Sequence, residues 1–584
     1  MTRPCRCPSS VPVRRAVARL LAVVAATIAA VGPVRAEDPP RGEVASYTFA
    51  SSRVFPGTVR EYWVYVPAKY DGRTPACVHV NQDGIQFDAP KVFDRLIHEG
   101  RMPVTIGVFV MHGRVPAGRE GALDRYNRSY EYDGLGDAYA RFLLDELLPD
   151  VETRKTDDGR PIVLSKRGAD RSIGGTSSGA IAAFTAAWER PDAFSRVFSG
   201  IGTYVGLRGG NEYPTLLRKT EPRPIRVFLQ GGEKDLNIYG GDWWIANQAM
   251  ERSLTFAGYE VKHAWGEGGH DGKHATELFP EAMEWLWKDW PAAPGRGAGS
   301  PQLQEILLPG EEWRRVGEGY GHAAAPAADD SGRVIFTDTA NRNAWALDAD
   351  WEPRSDASRR PSRAQAFAPD GRLASAGTDG EAVVIGSPDA PPRALARGWQ
   401  AGDLVVAADG VIWATEPADA SGQGTIHRIT PDGADTVVDR FPVPGTPGGI
   451  CLSPDQTLLY VADGTSHWVY SYSIDADGTL ENRQRYYHLH VPDDADDAGA
   501  GGMRVDREGR LWVATRMGLQ VCDQAGRVNC IVPVPSGRAT DLCFAGPDFD
   551  TVVVTCGREL WARKVRVRGA PAFQSPSTPA KPRL

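Results

Sequence analysis

Between residues 41 and 290, short apolar runs alternate with longer stretches whose apolar positions recur every three to four residues. The runs at 60–66, 77–80, 104–110, 172–173 and 225–229 read as strands, and the stretches at 137–148, 179–188, 242–256 and 276–290 read as helices. That alternation predicts an α/β sheet with helices on both faces, over residues 42–290. Residues 291–302 are nearly all Pro, Gly, Ala and Ser and read as a linker. Beyond them the period shortens. Turn signals at Asp330, Asp370-Gly371, Asp409-Gly410, Pro454-Asp455, Glu508-Gly509 and Pro547-Asp548 each precede a short β-rich run. A spacing of roughly 40–50 residues is that of one four-stranded propeller blade, so six signals predict a six-bladed β-propeller over 303–566. Residues 567–584 are Pro- and Ser-rich and predict a disordered tail.

The 584-residue length suits two large domains. The first 36 residues read as a signal peptide. Arg3, Arg6, Arg14 and Arg15 precede an apolar run at 20–31, and Val34-Arg35-Ala36 offers a cleavage site. The expected location is therefore the periplasm or the medium. Losing that segment removes six Arg and no acid, taking the net charge from −8 to −14. An acidic chain without a basic cluster argues against a nucleic-acid partner, and no later run is long enough to span a membrane. Six cysteines remain: Cys77, Cys451, Cys522, Cys530, Cys543 and Cys556. None has Cys-x-x-Cys spacing. Cys522 and Cys530 could face each other across a hairpin; buried free thiols are the plainer reading.

The chemistry concentrates in Gly175-Thr176-Ser177-Ser178-Gly179, placed between a strand-like run and a helical one. A sharp strand-to-helix turn lifts the central Ser out of a sheet and needs small neighbours, because the helix packs close. Ser177 is the candidate nucleophile. A Ser hydroxyl needs a base, and the base a carboxylate, following in the order Ser, acid, His on loops after later strands. Asp235 follows the strand at 225–229, and His270 lies on the Gly-rich loop 266–270. Rival bases are His274, at a helix start, and His263, inside a strand. Rival acids are Glu233, a loop charge, and Asp242, an N-cap for the helix beginning at Trp243. An oxyanion needs N–H donors, for which the amides of Ser178 and of Gly84 or Ile85 are candidates. Trp243, Trp244, Tyr239 and Trp265 lie near the acid and base loops and could wall a cleft; core packing is the commoner fate of such side chains.

Asn81-Gln82-Asp83-Gly84, the segment 93–103, and the segments 128–133 and 139–149 resemble the enterochelin esterase-like and feruloyl esterase-like (esterase D type) α/β-hydrolases over about residues 42–290. The resemblance implies cofactor-free hydrolysis of a carboxylic ester of a sugar, phenolic or siderophore type, and leaves the substrate open.

The segments 446–463 and 501–515 resemble the gluconolactonase/luciferin-regenerating-enzyme propellers. The resemblance implies an axial divalent cation held by Glu, two Asn and Asp. Here those positions are Ala324, Gly402, Gly448 and Gly501, none with a side-chain oxygen. The expectation is an exported serine esterase with an accessory propeller that has lost its metal ligands, needing no cofactor. The alternatives are a metal-dependent lactonase in the propeller and a non-catalytic binding protein.

Overall fold

The computed structural model describes residues 38–377, 380–387 and 390–582; the signal segment expected at 1–36 lies outside them. The first half is a three-layer α/β domain. Its strands are β1 (Glu43–Phe49), β2 (Arg60–Val66), β3 (Cys77–Gln82), β4 (Thr105–Val110), β5 (Arg171–Thr176), β6 (Arg196–Gly200), β7 (Arg226–Gly232) and β8 (Glu260–Gly266). They form one sheet in the order β1-β2-β4-β3-β5-β6-β7-β8. β1 and β2 pair antiparallel, and β3 to β8 run parallel. Strands β3 to β7 are buried on both faces, which is why they read as continuous apolar runs without alternation.

Helices α1 (Ala89–His98) and α5 (Lys273–Trp287) cover one face, packing Phe93, Leu96, Phe279 and Leu286 onto Phe198 and Phe228. The other face carries a helical segment over 138–152 with α2 (Ser178–Glu189), α3 (Tyr213–Lys219) and α4 (Trp243–Phe256). The segment at 138–152 has a π turn at Leu143–Leu147. Glu146 within it accepts hydrogen bonds from the Ser52 hydroxyl and the Arg53 and Val54 amides.

Six four-stranded sheets follow, forming a six-bladed propeller. The inner strands are Ala323–Ala328, Gln365–Phe367, Asp403–Val406, Pro447–Leu452, Met503–Val505 and Asp541–Ala545. Each turn signal in the sequence marks the hairpin from an inner strand to its neighbour. At 329–333 the Asp329 carboxylate accepts from the Ser331 and Arg333 amides, and Gly332 takes φ 79; the same Asp–Gly chemistry recurs at Asp370-Gly371 and Asp409-Gly410. The ring closes on itself, because Arg314–Glu318 from the start of the domain supplies the outer strand of the last blade.

The linker and the tail differ from expectation. Ser300 caps a short helix, Pro301–Ile306, by accepting from the Leu303 amide. The tail packs over 567–574, where disorder was expected, and most residues from 575 to 582 are exposed. It crosses one end of the propeller with Gly569 N–H donating to Phe549 O, Ala570 N–H to Val505 O and Ser577 N–H to Pro454 O. Phe573 packs against the apolar clusters of the blades. The composition of the tail hid the apolar triplet 571–573, which has a groove to fill.

The two domains touch directly. Glu221 N–H donates to Ile531 O at 2.9 Å, and the Glu221 carboxylate takes two 2.8 Å bonds from Arg563. The Lys219 ammonium meets His490 Nε2 at 2.9 Å. All six described cysteines are free and buried. A bulge pairs Cys522 with Val528 and Cys530 with Val521, which takes the two thiols out of register.

Candidate active site

β5 ends in Gly174-Gly175-Thr176, and α2 begins at Ser178. Ser177 between them has φ 57 and ψ −124, a conformation costing a non-Gly residue roughly 1–3 kcal/mol. Its neighbours hold it there. Ser177 N–H donates to Gly200 O at 3.0 Å, and its carbonyl accepts from Ala180 at 3.0 Å and Thr203 at 3.2 Å. The flanking glycines are a steric requirement: a Cβ on Gly175 would lie 2.7 Å from the Gly179 carbonyl carbon, and one on Gly179 3.0 Å from Gln82 Cβ.

The base and acid come from the adjoining strand ends. His270 follows β8 and Asp235 follows β7. Their loops are laced together: Glu233 N–H donates to Gly266 O and Lys234 N–H to Gly268 O, at 2.8 and 3.0 Å. A Cβ on Gly232 would meet Gly268 O at 2.2 Å, so this glycine sets how closely the two loops approach.

The result brings three sequence-predicted residues into line. His270 Nε2 lies 2.9 Å from Ser177 Oγ, and His270 Nδ1 lies 2.6 Å from Asp235 Oδ1. The Asp235 side chain is fully buried, and that of His270 is 22% exposed. Asp235 Oδ1 also accepts from Leu236 N–H at 2.7 Å, while Oδ2 has no partner.

One further side chain meets this line that the sequence gave no signal for, and Trp243, a candidate from the sequence, bonds to it. Thr203 Oγ1 lies 3.2 Å from Ser177 Oγ, and Trp243 Nε1 donates to Thr203 Oγ1 at 3.3 Å. Asn247 fixes their loop by bonding both the N–H and the carbonyl of Gly202.

The rivals fall elsewhere. His274 sits under Gly266, with Nδ1 3.1 Å from Gln230 Nε2. His263 stacks on Trp265 at 4.8 Å. Glu233 is exposed, and Asp242 caps α4 through the Ile245 amide at 3.0 Å. Of the aromatic residues, Trp243 is buried with its ring 5.9 Å from that of His270. Trp244 packs against Trp265 at 5.5 Å. Tyr239 is 94% exposed on the hairpin 237–242.

Among the amide candidates, Ser178 is the first residue of α2, where an N–H has no partner within the helix. Gly84 corrects the sequence reading: its N–H donates to Val110 O at 3.3 Å, which spends it. Ile85 N–H has no such bond among the described residues. The Asn81 side chain holds this loop by donating to Gln82 O and Gly84 O.

Two carboxylates flank the elbow. Burial works to raise Asp83, but hydrogen bonds from His112 and Arg128 and the Arg128 charge outweigh it and hold it below the usual range. Asp133 is buried with neither oxygen in a well-formed hydrogen bond. Burial lifts its pKa above the ordinary value, opposed by the nearby Ser129 and Ser178 hydroxyls and the charges of Arg128 and Arg208.

Residues 55–284 match the family described as "Putative esterase", and residues 322–558 match the SMP-30/Gluconolactonase/LRE-like region. The α/β half is an esterase domain. It is joined to a gluconolactonase/regucalcin-like propeller. Regucalcin from Bos taurus is 30% identical over 141 residues, 24% of this chain and 45% of the relative. Regucalcin from Xenopus laevis is 31% identical over 137 residues, 23% and 44% respectively. The chain thus spans less than half the length of the curated relatives it matches. Among solved structures, enterobactin esterase from Shigella flexneri shares 19% identity at TM-score 0.33, over 43% of this chain and 62% of that one. A gluconolactonase from Xanthomonas campestris shares 23% at TM-score 0.39, over 44% and 91%.

The propeller axis does not suit the cation that its relatives' chemistry implies. None of Ala324, Gly402, Gly448 and Gly501 offers a side-chain oxygen. As the backbone runs, a Cβ at 501 would lie 2.0 Å from Thr540 O and one at 402 would lie 2.9 Å from the Pro417 ring. An Arg, a fixed cation, stands on the axis instead. Arg504 donates to Met503 O at 2.7 Å and Pro326 O at 3.4 Å, and lies 3.9 Å from Asp541. Asp403, whose carboxylate accepts from the Ile450 amide at 3.0 Å, is the second acid near it. Burial raises both carboxyls, and the Arg504 charge opposes the rise.

Proposed function

We propose that this chain is a serine carboxylesterase whose chemistry is performed by Ser177, His270 and Asp235. The observation carrying the reading is the continuous line from Asp235 Oδ1 to His270 Nδ1 at 2.6 Å and from His270 Nε2 to Ser177 Oγ at 2.9 Å. Asp235 holds the proton on Nδ1, which leaves Nε2 free to accept one. Ser177 Oγ attacks the ester carbonyl carbon while Nε2 takes its proton. The oxyanion forms beside the amides of Ser178 and Ile85, neither of which has a protein acceptor among the described residues. The imidazolium then protonates the departing alkoxide, leaving an acyl-serine. Water, deprotonated by His270, releases the acid and regenerates the hydroxyl.

No step passes through a metal, and the propeller is accessory to the hydrolysis. The basic and apolar pattern at 1–36 supports export, which fractionation of the producing cells would check. Ser177→Ala should lower p-nitrophenyl acetate hydrolysis by at least about 10³-fold, and EDTA should leave the wild-type rate unchanged. Turnover that survives the substitution, or that EDTA removes, would point to a metal-dependent activity instead. A panel of acetyl, feruloyl and catecholyl esters would then rank the acyl groups.

A further inference from the structure

Ser177 Oγ is flanked by two side chains, and only one of them has a role in the steps above. His270 Nε2 lies 2.9 Å away on one side and Thr203 Oγ1 3.2 Å away on the other. Thr203 is 1% exposed and follows β6 on a loop with little freedom. Ile201 has φ 41, and its N–H donates to Gln230 O at 2.7 Å. Gly202 N–H donates to Asn247 Oδ1 at 3.2 Å, and its carbonyl accepts from Asn247 Nδ2 at 2.9 Å. Thr203 N–H donates to Ser177 O at 3.2 Å. Residue 203 is therefore held against the nucleophile through both its backbone and its side chain.

The neighbouring groups fix which way the protons point. Trp243 Nε1–H can only donate, and it lies 3.3 Å from Thr203 Oγ1. Thr203 Oγ1 accepts there, which leaves its own O–H for Ser177 Oγ. Asp235 keeps a proton on His270 Nδ1, so Nε2 accepts from the Ser177 hydroxyl. The hydrogen bonds thus run in one direction, from Trp243 through Thr203 and Ser177 to His270.

We propose that Thr203 is a catalytic residue of the second half of the reaction, where its hydroxyl stabilises Ser177 Oγ as the leaving oxygen; the proposal rests on the serine-esterase reading above. Water attacks the acyl carbon and gives a proton to His270 Nε2. The tetrahedral intermediate collapses, the bond from the acyl carbon to Oγ breaks, and its electron pair stays on Oγ. His270 returns the proton to Oγ, while Thr203 keeps its own proton and contributes only a hydrogen bond. The two halves of the reaction differ in their starting states. Free Ser177 is an alcohol whose oxygen accepts well, so the Thr203 bond exists before acylation and adds little to that step. In the acyl-enzyme, Oγ is an ester oxygen whose lone pair is drawn toward the carbonyl, and it accepts poorly. The bond then strengthens only as Oγ departs with charge, which is selective binding of the transition state.

The test uses the full chain and its Thr203→Val, Thr203→Ser and Trp243→Phe variants, with active sites counted by fluorophosphonate titration of Ser177. Stopped-flow hydrolysis of p-nitrophenyl acetate separates the acylation burst from the steady phase, and quenched samples read by intact mass follow acyl-Ser177. Thr203→Val should slow the decay of acyl-Ser177 about tenfold and leave kcat/KM, which reports acylation, within about threefold. Thr203→Ser should restore the decay rate. Trp243→Phe, which frees the Thr203 hydroxyl to turn, should show the same split in weaker form. Equal slowing of burst and decay would make Thr203 a support for the Ser177 rotamer and overturn the proposal, as would an unchanged decay in Thr203→Val or a failure of Thr203→Ser to restore it. A wild type that forms no acyl or phosphonyl adduct on Ser177 would instead refute the serine-esterase reading, and this proposal with it.

Discussion

Asp235→Asn perturbs one charge in the proposed reacting line, and the structure dictates how the amide will lie. Asp235 Oδ1 accepts from two donors, Leu236 N–H at 2.7 Å and His270 Nδ1 at 2.6 Å, whereas Oδ2 has none. In the variant, the amide oxygen takes the Oδ1 place, because the reverse orientation would set an NH2 against the Leu236 N–H. His270 therefore keeps its tautomer and its aim at Ser177 and loses only the negative charge that stabilises the imidazolium. A hydrogen bond to a charged group contributes about 1.5–3 kcal/mol, so kcat should fall roughly 10- to 150-fold. Saturation kinetics with p-nitrophenyl acetate near pH 8 would measure it, with KM little changed. A loss under about threefold would refute the idea that the buried carboxylate acts on the imidazole. A loss near 10⁴-fold, the size expected of a reversed tautomer, would refute the role given to the Leu236 amide.

Gly175→Ala would force a methyl to 2.7 Å from the backbone of Gly179; overpacking there should cost about 1–3 kcal/mol in thermal unfolding and lower kcat by displacing Ser177. His274→Gln should leave esterase activity within about threefold, since that ring bonds Gln230 and not Ser177, whereas His270→Gln should reduce kcat at least about 10³-fold. Asp133 has its folded pKa raised by burial, so in wild type stability is lost as pH rises from the ordinary carboxyl range toward the folded pKa. Asp133→Asn should then melt above wild type at pH 7 and together with it near pH 3. Arg504→Met strips the cation from between Asp403 and Asp541 and should cost about 1–3 kcal/mol of propeller stability. Millimolar Ca²⁺ or Mn²⁺ should not raise the wild-type Tm; a rise would contradict the mismatch at Gly501.

The sequence carried the candidate site further than the scaffold. Ser177, Asp235 and His270 were legible because each needs a loop after a strand, in a fixed chain order, with glycines where backbones meet. The six turn signals located every inner hairpin of the propeller for a similar reason: a left-handed residue at the turn, Gly332, Gly371, Gly410, Gln456, Gly509 or Phe549, is a local requirement. Helix α1 was missed as an element because it follows a left-handed Asp88 whose side chain makes no cap, which leaves Pro90 in its first turn as the lone start signal. The π turn at Leu143–Leu147 breaks the 3.6-residue period without changing composition. Thr203 and Asn247 were invisible, since loop hydroxyls and helix amides acquire meaning only once β6 and α4 bring them together. Gly84 was misjudged because its place in the loop suits an oxyanion donor; only the three-dimensional path shows Val110 O already taking that N–H. The tail was misread because three apolar residues among prolines gave no hint of the groove that Phe573 enters.

Everything proposed for the reaction requires that His270 activate Ser177. Reaction of the full chain with a fluorophosphonate, read by intact mass and peptide mapping, tests this most directly. One adduct per chain is expected, on Ser177, formed rapidly in wild type and at least about 10³-fold more slowly in His270→Ala. Labelling of any other residue, or labelling of Ser177 at equal rates in the two proteins, would contradict it.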